Sequence, residues 1–293
     1  MRHPEAITLD PDLIRRYDTS GPRYTSYPTA LQFEEFKQSE LEQAALESPN
    51  KSKDISLYVH IPFCATLCYY CACNKIVTRK REPAIEYLVS LKEELQIISP
   101  IFEGRHISQL HWGGGTPTYF EDAQITDLMQ AIHSAFLSRS DDNREFSIEI
   151  DPRTVDTKRI SHLRQSGFNR LSLGIQDFNP IVQKSVNRIQ SYDNTETVIK
   201  AARKEGFKSI SVDLIYGLPH QTLDSFNATL DQVITLEPDR ISIYNYAHLP
   251  ERFTPQKRIL VSDLPVADMK LRILQLCIEK LTKYGYVYIG MDH

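Results

Sequence analysis

Tyr58-Val59-His60-Ile61-Pro62-Phe63-Cys64-Ala65-Thr66-Leu67-Cys68-Tyr69-Tyr70-Cys71-Ala72-Cys73-Asn74 holds four of the five cysteines of a 293-residue chain within ten positions. The first three are spaced Cys-x3-Cys-x2-Cys. The run just before them, residues 57–61, is apolar and β-prone and predicts a strand. Pro62 ends that strand, so the thiols belong to the loop leaving its carboxyl end. Thiols this close in sequence can converge on one centre at little loop-closure cost.

Iron–sulfur clusters are held by cysteine thiolates, usually four. Three grouped cysteines would leave one iron open to another ligand. A structural zinc site normally recruits four ligands, often as two Cys-x2-Cys pairs, and the second pair is missing. Cys73 is a candidate fourth ligand, although its place two residues after Cys71 makes convergence with the others awkward. Tyr69 and Tyr70, between the thiols, would shield a cluster from water. Cysteines can also serve as small buried hydrophobes, but their scarcity elsewhere in the chain argues against that reading. The spacing resembles the radical S-adenosylmethionine (SAM) signature. The resemblance implies that Cys64, Cys68 and Cys71 bind three irons of a [4Fe-4S] cluster, that the amino and carboxylate groups of SAM bind the fourth, and that Cys73 lies outside.

The rest of the composition is that of an ordinary soluble protein, 41% hydrophobic and 25% charged. A net charge of −4 gives no global field for nucleic acid. No apolar run reaches membrane-spanning length, and residues 1–10 lack the apolar core of a signal peptide. Clustered cysteines, odd in number, argue against a secreted disulfide framework and for a reducing cytoplasm.

Ser20-Gly21-Pro22-Arg23-Tyr24-Thr25-Ser26-Tyr27-Pro28-Thr29 carries turn formers that deny it a regular helix. From composition this stretch reads as a surface arm tacked down by Tyr24 and Tyr27; the alternative is a segment lining a cleft, with Arg23 facing an anion. A short helix is expected over 34–47 and a polar link over 50–54. From there apolar strands (57–63, 107–112, 145–150, 170–175, 209–215, 240–246) alternate with amphipathic helices (84–98, 123–136, 157–165, 194–205, 223–236). A last helix, 265–283, precedes a seventh strand, 286–291. Such alternation predicts an α/β fold with a parallel sheet and helices outside. Six βα units fit a partial triosephosphate-isomerase-type barrel, (β/α)6, with an open doubly wound sheet as the alternative. We divide the chain at 1–53, an amino-terminal arm and short helix, and 54–293, the barrel. Because it stops on an apolar strand, a fragment of a longer protein is expected.

Both parallel architectures bind ligands where the strands end. Glycines 113–115, in His111-Trp112-Gly113-Gly114-Gly115-Thr116-Pro117-Thr118, let backbone approach a ligand closely. The run lacks the Lys-Ser/Thr pair of a phosphate-binding loop; a plain tight turn is the other reading. Alternation sets Ser147, Glu149 and Asp151 opposite Ile148 and Ile150. A carboxylate turned into a barrel is costly unless paired or bound, so Glu149 suits a cationic amino group, while Asp151 could simply start the turn at Pro152. Gln176 and Asp177 end the fourth strand. Arg188 follows and could meet a carboxylate, pair with Asp177 or stay solvated. Asp213 faces inward and suits ribose hydroxyls, or is a buried structural aspartate. Residues 244–248 offer surface for adenine. His60 and His248 are possible bases, though histidines so placed are more often satisfied hydrogen-bonders. Cys277 reads as core.

Together, Ser20-Gly-Pro-Arg-Tyr-Thr-Ser-Tyr-Pro-Thr, Tyr58-Val-His-Ile-Pro-Phe-Cys, Cys71-Ala-Cys-Asn-Lys, Leu110-His-Trp-Gly-Gly-Gly-Thr-Pro-Thr, Ile150-Asp-Pro-Arg, Gly174-Ile-Gln-Asp-Phe, Asp213-Leu-Ile-Tyr-Gly-Leu-Pro, Asn245-Tyr-Ala-His-Leu-Pro and Tyr288-Ile-Gly-Met-Asp-His resemble the oxygen-independent coproporphyrinogen III oxidase family. The resemblance runs from about residue 13 to the end. It implies that Tyr58, Tyr70, Gly114, Gly115, Thr116, Glu149, Gln176, Arg188, Asp213 and Ala247 surround SAM, with two SAM molecules bound, and that the arm lies near the active site. The implied reaction converts coproporphyrinogen III to protoporphyrinogen IX in haem biosynthesis. A 5′-deoxyadenosyl radical, from SAM cleaved at the cluster, takes a hydrogen from the propionates of rings A and B, and loss of carbon dioxide and an electron leaves vinyls. An electron donor such as flavodoxin or ferredoxin and a monomeric state are also implied, with no nucleic acid and no membrane insertion.

Two departures stand out: Ala72 replaces a frequent glycine, and family members continue well past residue 293. Competing readings are a haem-trafficking protein on the same scaffold, a haem-degrading radical SAM methyltransferase and a zinc-stabilised binding module. Relatives of the first kind generally lack the Arg23-Tyr24-Thr25-Ser26-Tyr27-Pro28 arm.

Overall fold

A computed structural model describes residues 10, 12, 16, 32–47, 54–138 and 143–290. The expectations for the arm at 20–29, Arg23 included, therefore lie outside the described residues. Helix α1 (Gln38–Glu47) is solvated, with no buried side chain, and starts later than the expected residue 34.

Strand β1 (Ile55–Ile61) leads through β2 (Phe63–Cys64) and β3 (Ile76–Val77), a short parallel pair built on the cysteine loop, to helix α2 (Glu82–Ile98). Then follow β4 (His106–Gly114), α3 (Asp122–Ala135), β5 (Leu137–Ser138), β6 (Glu145–Ile150), α4 (Thr157–Gln165) and β7 (Arg170–Gln176). The order continues with α5 (Pro180–Ser185), α6 (Tyr192–Lys204), β8 (Ser209–Tyr216), α7 (Leu223–Thr235), β9 (Arg240–Asn245) and α8 (Ala267–Lys283).

The main sheet runs β1-β4-β6-β7-β8-β9, every neighbour parallel, with β5 appended to the start of β4. This order decides between the two architectures. A doubly wound sheet reverses its strand order at a switch point; here each long strand lies beside the previous one and the order never reverses. The sheet curls into a partial barrel.

Burial shows both faces. Along β6, Phe146, Ile148 and Ile150 are buried while Glu145, Ser147 and Glu149 are only partly so, and β7 and β8 repeat the beat. The apolar residues point outward into the layer between strands and helices, the main core. There Trp112 meets Phe168 edge to face at 5.1 Å. Barrels of this type usually fill their interior with bulky branched side chains. This concave face instead carries Tyr58, His111, Ser147, Ser172, Ser211 and Ser242, and the small hydroxyls leave a cavity of about 1130 Å³.

Among the described residues the expected seventh strand does not form. Residues 286–289 have no strand pairing, and β9 pairs only with β8. The Tyr286 phenol donates to the Pro238 carbonyl oxygen at 2.7 Å, and residues 286–289 line the cavity instead. Cys277 is buried in the core, as its helical position suggested.

Candidate functional site

The thiol loop is shaped first by its glycine neighbours. Beyond β1 and β4 the two chains keep bonding: the Gly115 amide donates to the Ile61 carbonyl (2.8 Å) and the Thr116 amide to that of Phe63 (2.9 Å). A Cβ on Gly115 would stand 2.6 Å from the Pro62 carbonyl oxygen, closer than backbone can tolerate. Gly114, at φ +115°, would meet the His60 ring at 2.7 Å, and a Cβ on Gly113 would meet Glu149 Oε1 at 2.9 Å. The Thr116 hydroxyl reaches Cys64 Sγ at 3.6 Å. His60 is a satisfied hydrogen-bonder: its ring contacts the Tyr58 hydroxyl (3.0 Å) and the Asn74 carbonyl (3.0 Å), fastening both ends of the loop.

The loop's far side is pinned by the segment after β7. Val186 accepts from the Tyr69 amide (3.0 Å), and Asn187, at φ +55°, donates its side-chain amide to Leu67 O (2.7 Å). Tyr69 and Tyr70 pack against a second apolar cluster of Val182, Val186, Leu218, Tyr246 and Ile259. Burial raises the Tyr70 phenol well above its usual range, outweighing the pull of Arg188.

Arg188, 7% exposed, joins three parts of the rim. Its guanidinium donates to Cys68 Sγ (3.6 Å), to Asp151 Oδ2 (3.2 Å) and to Gly174 O (2.6 Å). Its carboxylate partner is thus Asp151, not Asp177. Asp177 is a buried structural acceptor for Thr229, Gln221 and the Asn179 amide. Asp151 starts the turn at Pro152, accepting from the Arg153 amide, and also holds the Arg153 guanidinium (2.6 Å). Burial pushes the Asp151 carboxyl up, but Arg188 and Arg153 outweigh it and hold it below the usual carboxylate range. Arg153 then reaches Cys68 Sγ at 3.7 Å. Spacing and alternation do not mark Arg153 as a site residue, although it sits in the Ile150-Asp-Pro-Arg stretch that carries the family resemblance.

The opposite side of the rim is acidic. Glu149 receives the Gly114 amide (3.3 Å) and His111 Nε2 (3.2 Å). Asp213 accepts from the Ser172 hydroxyl (3.1 Å). Burial and the nearby Glu149 charge push Asp213 up to about 6, against hydrogen bonds from Ser172 and Ser242. Gln176 lies where strand pairing slips, at φ +69°, and its buried Oε1 has no partner among the described residues. Ala247 is exposed just past β9. The rim thus brings together the cysteine loop, the glycine turn and the carboxylates, with Ala247 left at its loose edge.

Among the thiols, Cys71 accepts a hydrogen bond from Cys73, which brings it down to about 6 against the effect of burial. Burial pushes Cys64 up, partly offset by Thr116. Among the described residues no three His, Cys, Asp or Glu side chains gather tightly enough to hold one metal ion. The donor chemistry does fit an iron–sulfur centre: thiols on a single loop, one of them hydrogen-bonded by two guanidinium groups. Hydrogen bonds to sulfur are among the levers that tune such centres.

Parallel strands curled into a partial barrel, with four thiols after the first strand, three of them spaced Cys-x3-Cys-x2-Cys, define a class. A sequence model of the radical SAM superfamily matches residues 58–233, more than half of the chain, and the chain belongs to that superfamily. It is 52% identical over 299 residues to the oxygen-independent coproporphyrinogen III oxidase of Pseudomonas aeruginosa, covering 99% of this chain and 63% of the relative. The Escherichia coli protein of the same name is 52% identical over 290 residues, with the same coverage. A solved structure of the Escherichia coli coproporphyrinogen III oxidase superposes with a TM-score of 0.92 at 50% identity, covering 98% of this chain and 64% of that one. The chain therefore spans just under two thirds of these relatives. The Streptococcus suis protein SuiB, solved with S-adenosylmethionine bound, shares the fold at a TM-score of 0.51 and 16% identity, over 87% of this chain and 56% of that one. No helix among the described residues is long and apolar enough to cross a membrane.

Proposed function

We propose that the protein converts coproporphyrinogen III to protoporphyrinogen IX without oxygen, turning the propionates of rings A and B into vinyls. The observation that supports this most is the 52% identity to relatives named for that activity, over 99% of this chain, a span that takes in the whole rim.

In this reading Cys64, Cys68 and Cys71 hold a [4Fe-4S] cluster, and Cys73 modulates Cys71 from outside. When bound, the cluster and SAM would supply one-electron cleavage and hydrogen abstraction, so that a propionate losing a β-hydrogen, carbon dioxide and one electron to an external acceptor would become a vinyl. Arg153 and Arg188 place positive charge on Cys68 Sγ and so favour an added electron there. Glycines 114 and 115 bring bare backbone to the methionine end of SAM. Glu149 and Asp213 offer negative charge to its ammonium group and acceptors to its ribose, and Gln176 Oε1 gains the donor it lacks. Tyr58, Tyr70, Thr116 and Ala247 complete the surround, and the Tyr69–Tyr70 cluster excludes water. A second SAM molecule, a flavodoxin- or ferredoxin-type donor, a cytoplasmic setting and a monomeric state belong to the same reading.

The test is an anaerobic assay of the full-length gene product with reductant, SAM and coproporphyrinogen III. A vinyl gained on each of rings A and B, with matching 5′-deoxyadenosine, is expected, and Cys64→Ser abolishes both along with bound iron. Cleavage of SAM with an intact tetrapyrrole would keep the radical chemistry and remove the substrate. Production of S-adenosylhomocysteine would point to methyl transfer.

A further inference from the structure

Beneath the glycine turn, on the concave face, His111 makes contacts that nothing in the reaction above has used. Its Nε2 lies 3.2 Å from Glu149 Oε1 and its Nδ1 lies 2.5 Å from Ser147 Oγ. The Tyr58 ring stacks on it, centroids 5.8 Å apart and planes 18° from parallel. Ser147 can also donate to the Leu110 carbonyl at 3.4 Å.

Counting protons fixes the arrangement. An ionised carboxylate only accepts, so Nε2 must carry the hydrogen that bonds Glu149. With a neutral ring, Nδ1 then accepts from Ser147. With a charged ring, Nδ1 donates to Ser147, whose hydrogen turns to Leu110. Either state leaves the Nε2–H on Glu149, because the Ser147 hydroxyl rotates to suit. The other Glu149 oxygen takes the Gly114 amide at 3.3 Å. The pair also lies flat against Gly113, where a Cβ would stand 2.9 Å from Oε1 and 3.1 Å from His111 Nε2. Glu149 is thus gripped once at each oxygen, with its remaining lone pairs free for a cation.

We propose that His111 is the positioning residue that fixes the Glu149 carboxylate beneath the glycine turn so that it meets the α-ammonium group of SAM. This rests on the SAM site proposed above. Tyr58 holds the ring plane and Ser147 holds its rotation, so the donor on Glu149 is already oriented when the ligand arrives.

The test is equilibrium binding by calorimetry, on cluster-loaded protein without reductant, using SAM and an analogue lacking the α-amino group. His111→Phe keeps the stack on Tyr58 and removes the donor. SAM should bind about tenfold more weakly, the worth of one hydrogen bond to a charged group, while the analogue is unaffected. His111→Gln, whose amide can still donate to Glu149, should restore most of the loss. In a Glu149→Gln background, His111→Phe should add nothing. Thermal melts of both His111 variants confirm that they fold. Equal weakening of SAM and analogue, an effect that adds to Glu149→Gln, or no effect at all would each overturn the role of His111. A Glu149→Gln variant that itself binds SAM normally would instead remove the SAM site as proposed, and this inference with it.

Discussion

Asp151 and Asp213 stand on the same rim of the same barrel and live in opposite electrostatic surroundings. Asp151 is gripped by Arg153 at 2.6 Å and Arg188 at 3.2 Å, and its carboxyl is held low despite burial. Asp213 has hydroxyl partners, faces the Glu149 charge and is pushed up to about 6. The first region has its counter-charges built in, and they also fasten the thiol loop through Cys68. The second gathers negative charge, and at Asp213 the pull of Arg188 is outweighed by burial and the Glu149 charge. A buried carboxylate without a counter-charge costs free energy, and a cationic ligand is one means of relieving that cost. One side of the rim is a clamp; the other is the receptor of the proposal above.

The largest expected effect follows from breaking the clamp. Arg188 and Asp151 side chains are 8% and 9% exposed. Arg188→Ala would leave Asp151 with Arg153 alone and would also remove the donor to Cys68 Sγ and Gly174 O, an order of about 3 kcal/mol, the low end for a broken buried pair, read as a shift in the urea midpoint. The double variant Arg188→Met/Asp151→Asn should recover little of that loss, since it takes the carboxylate away from Arg153 as well.

A smaller effect of opposite sign belongs to the receptor. The folded pKa of Asp213, about 6, lies above the unfolded carboxylate value. The folded state therefore holds this proton more tightly, and the associated stability is present in acid and lost as pH rises through about 6. Asp151 runs the other way, its contribution present at neutral pH and lost as pH falls through its lowered value. Asp213→Asn should then stabilise the ligand-free protein at pH 8, by an order of 2–3 kcal/mol at most, and much less at pH 4. An equal increment at both pH values would show that Asp213 carries no such burden.

These surroundings also mark where the sequence stops being legible. Strands and helices were readable because each rests on a local period, and their ends fall within a few residues of expectation. The thiol loop and glycine turn were readable for the same reason. What no period reports is partnership across the barrel. The sequence leaves Arg188 open between a carboxylate, Asp177 and solvent, because choosing Asp151 requires the loop after β7 to fold back over β6. Arg153 and Cys68 are 85 positions apart, and no spacing rule brings them together. The barrel itself was decided by strand order, which periodicity does not encode. The seventh strand was expected from apolar composition alone, which does not tell a strand from a segment lining a cavity, and residues 286–289 do the latter.

The smallest expected stability effect probes how the clamp reaches the chemistry. Arg153 shares Asp151 with Arg188, so Arg153→Gln leaves the carboxylate one guanidinium, and the cost should be about 1–2 kcal/mol. Its second contact, to Cys68 Sγ at 3.7 Å, is the more telling one. If Cys68 is a cluster ligand, as proposed above, removing a cationic donor from it disfavours the added electron, so the bound cluster should become harder to reduce, with a potential that moves negative. A conservative Arg153→Lys keeps the charge and should move the potential less than Arg153→Gln does. If both variants lose stability while the potential stays fixed, Arg153 serves the clamp alone. If the potential moves as expected, the residues that hold the loop also set the energy at which it accepts an electron, and the two sides of the rim work on one reaction.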